Sequence, residues 1–174
     1  MTTTVTVTAS TAVVTVDETS ATVNVVGSDA ATVSVGQNVA PEVAFTVSGG
    51  TSGNQPTFSG SPLFSGSYVL LDRLVHFRIN VEMTNITNFG TGQYFVTLPF
   101  ASRHTYLTSD GHLHDVSANR DYTLQGHVLA GTNVLQLFYT GSNGQQDEFE
   151  HNKPVNLATA DLFHISGTYM KDGE

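Results

Sequence analysis

The chain has 174 residues, which suits one domain with an appendage, and it contains no cysteine. Disulfides and thiolate metal clusters are therefore excluded, and packing or association must supply the stability. The net charge is −9, from 6 Lys and Arg against 15 Asp and Glu, and the basic residues form no cluster. Because phosphate binding needs a basic patch, we expect neither nucleic acid nor an anionic membrane surface as a partner.

The composition also indicates where the protein is made. No apolar run approaches the roughly 20 residues of a membrane-crossing helix. Met1 is followed by Thr-Thr-Thr rather than by the basic and apolar segments of a signal peptide. Only 12% of the residues are charged, while Thr, Ser, Gly, Asn and Val are abundant, as is typical of extracellular or virion β-proteins. We therefore expect a soluble protein made in a cytoplasm.

Residues 5–35 repeat a Val-x-Val unit at spacings of nine, nine and ten residues. Each unit predicts a short strand whose two valines share one face, followed by small or acidic turn residues. So short a strand buries too little apolar area to offset an ordering cost of about 1–2 kcal/mol per residue, so it needs partners. The eight valines are Val5, Val7, Val14, Val16, Val23, Val25, Val33 and Val35.

We predict that residues 1–48 form a β arm that anchors and trimerises the protein. The strands are either interwoven between chains or laid on a neighbouring protein, and both arrangements would cover their open edges. A disordered Thr- and Ser-rich arm that orders only on a scaffold is the alternative. Within this range, Val43, Phe45 and Val47 alternate with Ala44 and Thr46, which indicates a further strand.

Gly, Ser and Pro recur at short intervals before the second half of the chain, which predicts a linker over residues 49–62. Residues 63–174 carry longer strands, and no window shows a helical period. In the clearest strand, residues 74–84, the apolar face comprises Val75, Phe77, Ile79, Val81 and Met83. Other strands are predicted at residues 67–71, 93–98, 122–129, 134–140 and 162–170, with a weaker pattern at 113–116. The fold class is all-β, with an antiparallel, jelly-roll-like β-sandwich of about seven or eight strands.

No catalytic motif is present, so we expect neither an enzyme nor a cofactor. His112 and His114 share one face of an extended segment beside Asp110 and Asp115, a spacing that suits transition-metal chelation. Surface histidines in polar loops usually meet water or backbone groups instead, so these two are weak candidates and no metal site is expected.

Two other polar groups have a functional and a structural interpretation. Asp147, Glu148 and Glu150 could hold Ca²⁺ or act as glycosidase carboxylates, but a solvated loop is the favoured interpretation. Three histidines lie in strands beside apolar neighbours, which predicts an outer face or a subunit interface for them. In a subunit interface, their protonation near pH 6 would loosen the assembly. These histidines are His76, His127 and His164.

Five runs in the second half of the chain carry a family resemblance. They are Phe64-Ser-Gly-Ser-Tyr68, Leu74-Val-His-Phe77, residues 85–94, Thr97-Leu-Pro-Phe100 and His164-Ile-Ser-Gly-Thr-Tyr169. With these runs the segment resembles β-sandwich domains of tailed-bacteriophage virion proteins, which recur on capsid decoration proteins and on fibre or tailspike tips. The resemblance implies a homotrimer on the virion surface and no cofactor, and it carries over no catalytic residue.

Three functional hypotheses follow. The short chain favours a capsid decoration, or cement, protein whose arm binds the major capsid protein and whose sandwich projects from the outer capsid surface. The alternative is a short tail fibre or tailspike tip that binds a host-surface glycan through Tyr106, Tyr139 and Phe149. The third, an enzyme acting on surface polysaccharide, would lose its activity on replacement of one carboxylate, and we expect no such activity.

Overall fold

The computed structural model of the chain describes residues 3–7, 21–25 and 40–173, and the chain divides into two compact units, Met1–Val39 and Ala40–Glu174. All regular structure within the described residues is β-strand, which confirms the predicted all-β class. None of the described segments is a helix long and apolar enough to cross a membrane. The strands in chain order are β1 (Thr3–Val7), β2 (Ala21–Val25), β3 (Glu42–Phe45), β4 (Gly49–Thr51), β5 (Thr57–Phe58), β6 (Leu63–Leu71), β7 (Leu74–Glu82), β8 (Ile86–Asn88), β9 (Tyr94–Thr97), β10 (Tyr106–Asp115), β11 (Arg120–Val128), β12 (Val134–Thr140), β13 (Gln146–Glu148) and β14 (Leu162–Met170).

In the N-terminal unit, β1 and β2 form a two-stranded parallel sheet. The register sets Val5 beside Val23 and Val7 beside Val25. The first Val-x-Val unit is therefore paired with the third, each residue with its equivalent in the repeat. The other valines predicted to belong to the arm lie outside the described residues: Val14, Val16, Val33 and Val35.

The second unit is built on one ten-stranded antiparallel sheet. Its strand order is β3-β6-β7-β14-β10-β11-β12-β9-β4, with β13 paired to β12. Strand β6 pairs with β7, and β10, β11 and β12 pair with one another in chain order. The last strand, β14, lies between β7 and β10. The last strand therefore joins the two locally paired parts of the sheet. Strands β5 and β8 form a separate two-stranded sheet.

The ten-stranded sheet curls because its two edge strands are consecutive in the chain. Strands β3 and β4 lie at opposite ends of the strand order but are joined by residues 46–48 alone. At roughly 3.3–3.6 Å per residue, such a connection spans no more than about 15 Å. The two ends meet at Gly49 on β4, where an added Cβ would lie 3.1 Å from the Phe64 ring on β6.

The inner face of the curled sheet carries the hydrophobic core. Strand β7 alternates strictly between buried and exposed residues, and Val75, Phe77, Ile79 and Val81 are buried, as the sequence pattern predicts. Full burial of such a side chain stabilises the fold by about 1.5–3 kcal/mol. Other strands complete the core with Val96, Leu113, Leu135, Leu137, Phe163, Ile165 and Tyr169.

The predicted strands correspond well to those observed in the larger unit. The segments predicted at 67–71, 93–98, 122–129, 134–140 and 162–170 fall on β6, β9, β11, β12 and β14. The weak pattern at 113–116 marks the end of a much longer strand, β10, which has a bulge between Thr108 and Gly111. The strand was underestimated because the bulge interrupts its alternation.

The division between the two units differs from the predicted one at residue 48. Strand β3 pairs with β6, and Val47 is buried, so residues 40–48 belong to the larger unit. The predicted linker at 49–62 contains β4 and β5, and its Thr51 is 2% exposed. Three of its four glycines meet close contacts: an added Cβ on Gly53, for example, would lie 2.6 Å from the Thr91 carbonyl oxygen. The Gly- and Ser-rich composition therefore reflects close backbone packing, which favours glycine as strongly as a flexible linker does.

Candidate functional site

The outer face of the ten-stranded sheet is polar and rich in histidine. On β14, His164 lies between the core residues Phe163 and Ile165, so its side chain points away from the core. The same alternation puts five of the seven histidines on this outer face. We call these five residues the histidine face: His76, His112, His114, His127 and His164. The predicted outer-face position of His76, His127 and His164 is where the structure places them.

Two members of the histidine face form a direct pair. His112 on β10 and His164 on β14 are opposite each other in the antiparallel register. Their ring centroids are 3.6 Å apart, with the ring planes at 72°. In the same row across the sheet, Asn80 on β7 flanks His164 and Thr123 on β11 flanks His112. The sequence predicts His114 as the partner of His112, whereas the structure brings His164 closest to it.

His114 belongs to the neighbouring row and has a different partner. Its Nδ1 atom lies 2.8 Å from the Asp121 carboxylate on β11, directly opposite in the register. Because an ionised carboxylate only accepts hydrogen bonds, Nδ1 carries the proton in this pair. The pair is partly open to solvent, with the His114 side chain 30% and the Asp121 side chain 67% exposed. In such a setting we assign it an orienting role and little stabilising energy.

The remaining histidines of this face are separate from these two pairs. The Nδ1 atom of His76 lies 3.0 Å from the Thr168 hydroxyl oxygen on β14. The ring of His127 lies 6.2 Å from the ring of Phe138 on β12. Within the described residues, no three His, Cys, Asp or Glu side chains come close enough together to hold a metal ion.

The predicted glycan contacts do not form one surface. Phe149 has 0% exposure and packs against Tyr94 and Phe163, at ring separations of 5.3 and 5.6 Å. It is therefore a core residue and is not available to a glycan. Tyr106 and Tyr139 are half-buried and pack against the core from the sheet.

The acidic stretch around Phe149 is only partly the solvated loop that the sequence predicts. Asp147 and Glu148 are exposed, but they lie on β13, which pairs with β12. Glu150 forms an ion pair with Lys153 at 2.8 Å. The backbone amide of Tyr94 donates to the Phe149 carbonyl oxygen at 2.9 Å. Phe149 is thus buried between the exposed Glu148 and the ion-paired Glu150.

Two buried carboxylates stand out near the end of β10, and the sequence analysis missed their role. Asp115 is 2% exposed and accepts hydrogen bonds from the Ser117 hydroxyl at 2.7 Å and the Ala118 amide at 3.1 Å. These bonds, with the Ser117 bond the stronger, lower the pKa of Asp115. Asp161 is 1% exposed and accepts from the Val116 amide at 3.1 Å and the Ala158 amide at 2.7 Å. Both carboxylates thus fix turns.

The Asp115 bonds predict an acid-dependent loss of stability. Because the pKa is lowered on folding, ionised Asp115 stabilises the fold above its unfolded pKa of about 3.9, and this contribution is lost as the pH falls through the folded pKa. In Asp115→Asn the acceptor oxygen is kept and the charge is removed. We expect the free energy of unfolding of Asp115→Asn to be lower than that of the parent near neutral pH, and the gap to narrow below about pH 4. Urea unfolding across this pH range measures the difference in free energy of unfolding between the two proteins. A difference that does not change with pH contradicts a stabilising role for ionised Asp115.

The described residues thus define an all-β protein whose curled antiparallel sheet presents a polar, histidine-bearing outer face. Comparison of the chain with protein-family models, with curated proteins and with solved structures finds no match.

Proposed function

We propose that this chain is a structural protein of a tailed-phage virion: a homotrimeric capsid decoration, or cement, protein that binds the outer capsid surface and stabilises the shell. In this proposal the N-terminal unit is the anchoring and trimerising arm. The curled sheet of the larger unit is the jelly-roll-like sandwich that projects outward as a trimeric knob.

The observation that carries the proposal is the parallel pairing of β1 with β2. Among the described residues, each of these five-residue strands pairs only with the other. A two-stranded sheet is at best marginally stable in water, and three or more strands or a packed partner are needed for independent stability. Open strand edges of this kind are completed by strands of a partner protein through main-chain hydrogen bonds. The major capsid protein and neighbouring copies of the chain are the partners we propose.

The larger unit supports a separate projecting role. It has its own hydrophobic core, and it contains the segments that resemble phage virion sandwich domains. A protein that binds the assembled shell and not its free subunits stabilises the shell by mass action. Each copy contributes only a modest interface, but many copies joined in trimers together stabilise the shell strongly.

A short tail fibre or tailspike tip that binds a host-surface glycan is the second candidate. One feature favours it: the ring of the half-buried Tyr106 lies 6.1 Å from the ring of the exposed His104. Aromatic rings with a polar edge are suited to contact with the faces of sugar rings. Tyr106 is therefore retained as a proposed glycan contact and Phe149 is not.

Electron cryomicroscopy of virions whose genome encodes this chain distinguishes the two candidates. Density for the larger unit at many equivalent positions on the shell is the result expected of a decoration protein. Density confined to the tail, in few copies, assigns the chain to a fibre or spike and contradicts the cement role. Imaging particles that lack the chain provides the control.

A further inference from the structure

We propose that a groove on the outer face of the larger unit binds a neutral saccharide through two neighbouring hydroxyl groups, with Glu42 accepting one hydrogen bond and Arg78 donating the other. The inference does not depend on a virion location, because it rests only on side chains of the larger unit. It places the saccharide on β3, β6 and β7, whereas the glycan contact proposed at Tyr106 lies on β10.

Strand pairing forms the groove on the outer side of the sheet. Arg78 on β7 lies opposite Ser67 on β6. In the next row, Val69 on β6 lies between Glu42 on β3 and His76 on β7. Because neighbouring strands lie about 4.7–4.9 Å apart and alternate residues about 7 Å apart, these two rows frame an area of about 10 Å by 7 Å. The groove has a volume of about 150 Å³, which suits a single sugar ring, and its lining residues are Glu42, Ser67, Tyr68, Val69, His76 and Arg78.

Two opposite charges line this groove without neutralising each other. The ion pairs among the described residues involve neither Glu42 nor Arg78. Arg78 is exposed, and no described residue accepts a hydrogen bond from its guanidinium. The guanidinium therefore keeps all its N–H donors for a ligand.

Hydrogen bonds within the sheet orient the other polar groups of the groove. The Ser67 hydroxyl donates to Oε1 of Glu42, which leaves Oε2 as an acceptor. The Nδ1 atom of His76 lies 3.0 Å from the Thr168 hydroxyl oxygen, which leaves Nε2 for a ligand. Groups that are held in place before binding lose less conformational entropy when a ligand binds.

The donors and acceptors of the groove determine the class of ligand. An ionised carboxylate only accepts hydrogen bonds and a guanidinium only donates them, so a matched ligand must both donate and accept. Neighbouring hydroxyls of a sugar ring do this, and bonds to charged partners are about twice as strong as bonds between neutral groups. Val69 adds apolar surface for the C–H face of the ring. The charges of Glu42 and Arg78 cancel and the chain carries −9, so a neutral sugar is favoured over an anionic one.

An NMR titration of the ¹⁵N-labelled full chain with the methyl glycosides of glucose, galactose and mannose tests the site. We expect saturable binding of at least one glycoside, with a dissociation constant in the millimolar range because the groove is shallow and holds one ring. Arg78→Ala and Glu42→Gln are each expected to bind at least about tenfold more weakly, since each removes a hydrogen bond to a charged group. Both side chains are exposed, so the variants are expected to keep the parent's amide spectrum.

Glu82→Gln is the matched control for this titration. Glu82 is also an exposed carboxylate on the outer face of β7, but it lies outside the groove. The control is expected to bind like the parent. The proposal is overturned if the parent binds none of the three glycosides, if either groove variant binds like the parent, or if the control loses as much affinity as they do.

A second measurement needs no substitution. The chain has four arginines, whose side-chain Nε–H groups give separate NMR resonances. We expect the bound glycoside to shift the Nε–H resonance of Arg78 and to leave those of Arg73, Arg103 and Arg120 in place. No shift at Arg78, or equal shifts of all four, contradicts the assignment. Glucuronate, a sugar with a carboxylate, distinguishes the charge of the ligand: tighter binding of glucuronate than of every neutral glycoside would show an anion site and overturn the proposal.

Discussion

Deletion of residues 1–39 is expected to leave a folded protein with an unchanged thermal midpoint that no longer binds phage capsids. The larger unit, Ala40–Glu174, has its own core and keeps every strand of the ten-stranded sheet after this deletion. The deleted segment contains β1 and β2, and their edges that no described residue pairs with are the proposed binding elements. Thermal unfolding measures the first expectation, and cosedimentation with capsids stripped of the protein measures the second.

Deletion at residue 39 is more informative than deletion at residue 48, the boundary predicted from the sequence. Deletion of residues 1–48 also removes β3 and Val47, which is 7% exposed and lies against Gly66 and the β6 strand. Loss of a buried aliphatic side chain and an edge strand lowers the free energy of unfolding by about 2–5 kcal/mol. We therefore expect the longer deletion to be less stable than the shorter one, while both fail to bind.

The shorter deletion also tests the arm as the trimerising element. Light scattering coupled to size exclusion is expected to show a trimer for the full chain and a monomer for residues 40–174. Retained full-affinity capsid binding by residues 40–174 would show that anchoring belongs to the larger unit. If residues 40–174 form a trimer, the subunit contact lies in the curled sheet, and anchoring is the only role left for the arm.

Much of the fold could be predicted from sequence because side-chain periodicity is a local property. The alternation at residues 74–82 identifies both the strand and its buried face, since one side of an antiparallel strand meets the core. What could not be predicted is the strand order. Insertion of β14 between β7 and β10 depends on contacts between distant segments, which no local pattern encodes.

The difference between local patterns and contacts between distant segments also explains which parts of the candidate site could be predicted. His112 and His114 are recognisable as a pair because they are close in sequence. The contact between His112 and His164 depends on the pairing of β10 with β14, so it appears only when the sheet is assembled. The turn-fixing role of Asp115 had a local signal, an acidic residue two positions before a serine, of the kind that forms side-chain-to-backbone turns.

Phe149 shows where composition is misleading, and it gives the second large predicted effect. Its neighbours Glu148 and Glu150 make the segment resemble an exposed loop, yet Phe149 is 0% exposed. Truncation to alanine removes a whole ring from contact with Tyr94 and Phe163, at 5.3 and 5.6 Å. We expect Phe149→Ala to lower the free energy of unfolding by about 3–5 kcal/mol, because the cavity adds to the lost transfer energy. Equilibrium urea unfolding measures this difference.

Phe138→Ala is the matched control for this prediction. Phe138 is also an aromatic residue of the same sheet, but it is half-buried on the outer face beside His127. Its truncation leaves no enclosed cavity, so we expect a clearly smaller loss of stability than at Phe149. If Phe149 were instead a glycan contact on the surface, Phe149→Ala would weaken glycan binding and leave the free energy of unfolding almost unchanged. Equal stability losses at the two positions would likewise contradict the core assignment, because burial is the physical difference between them.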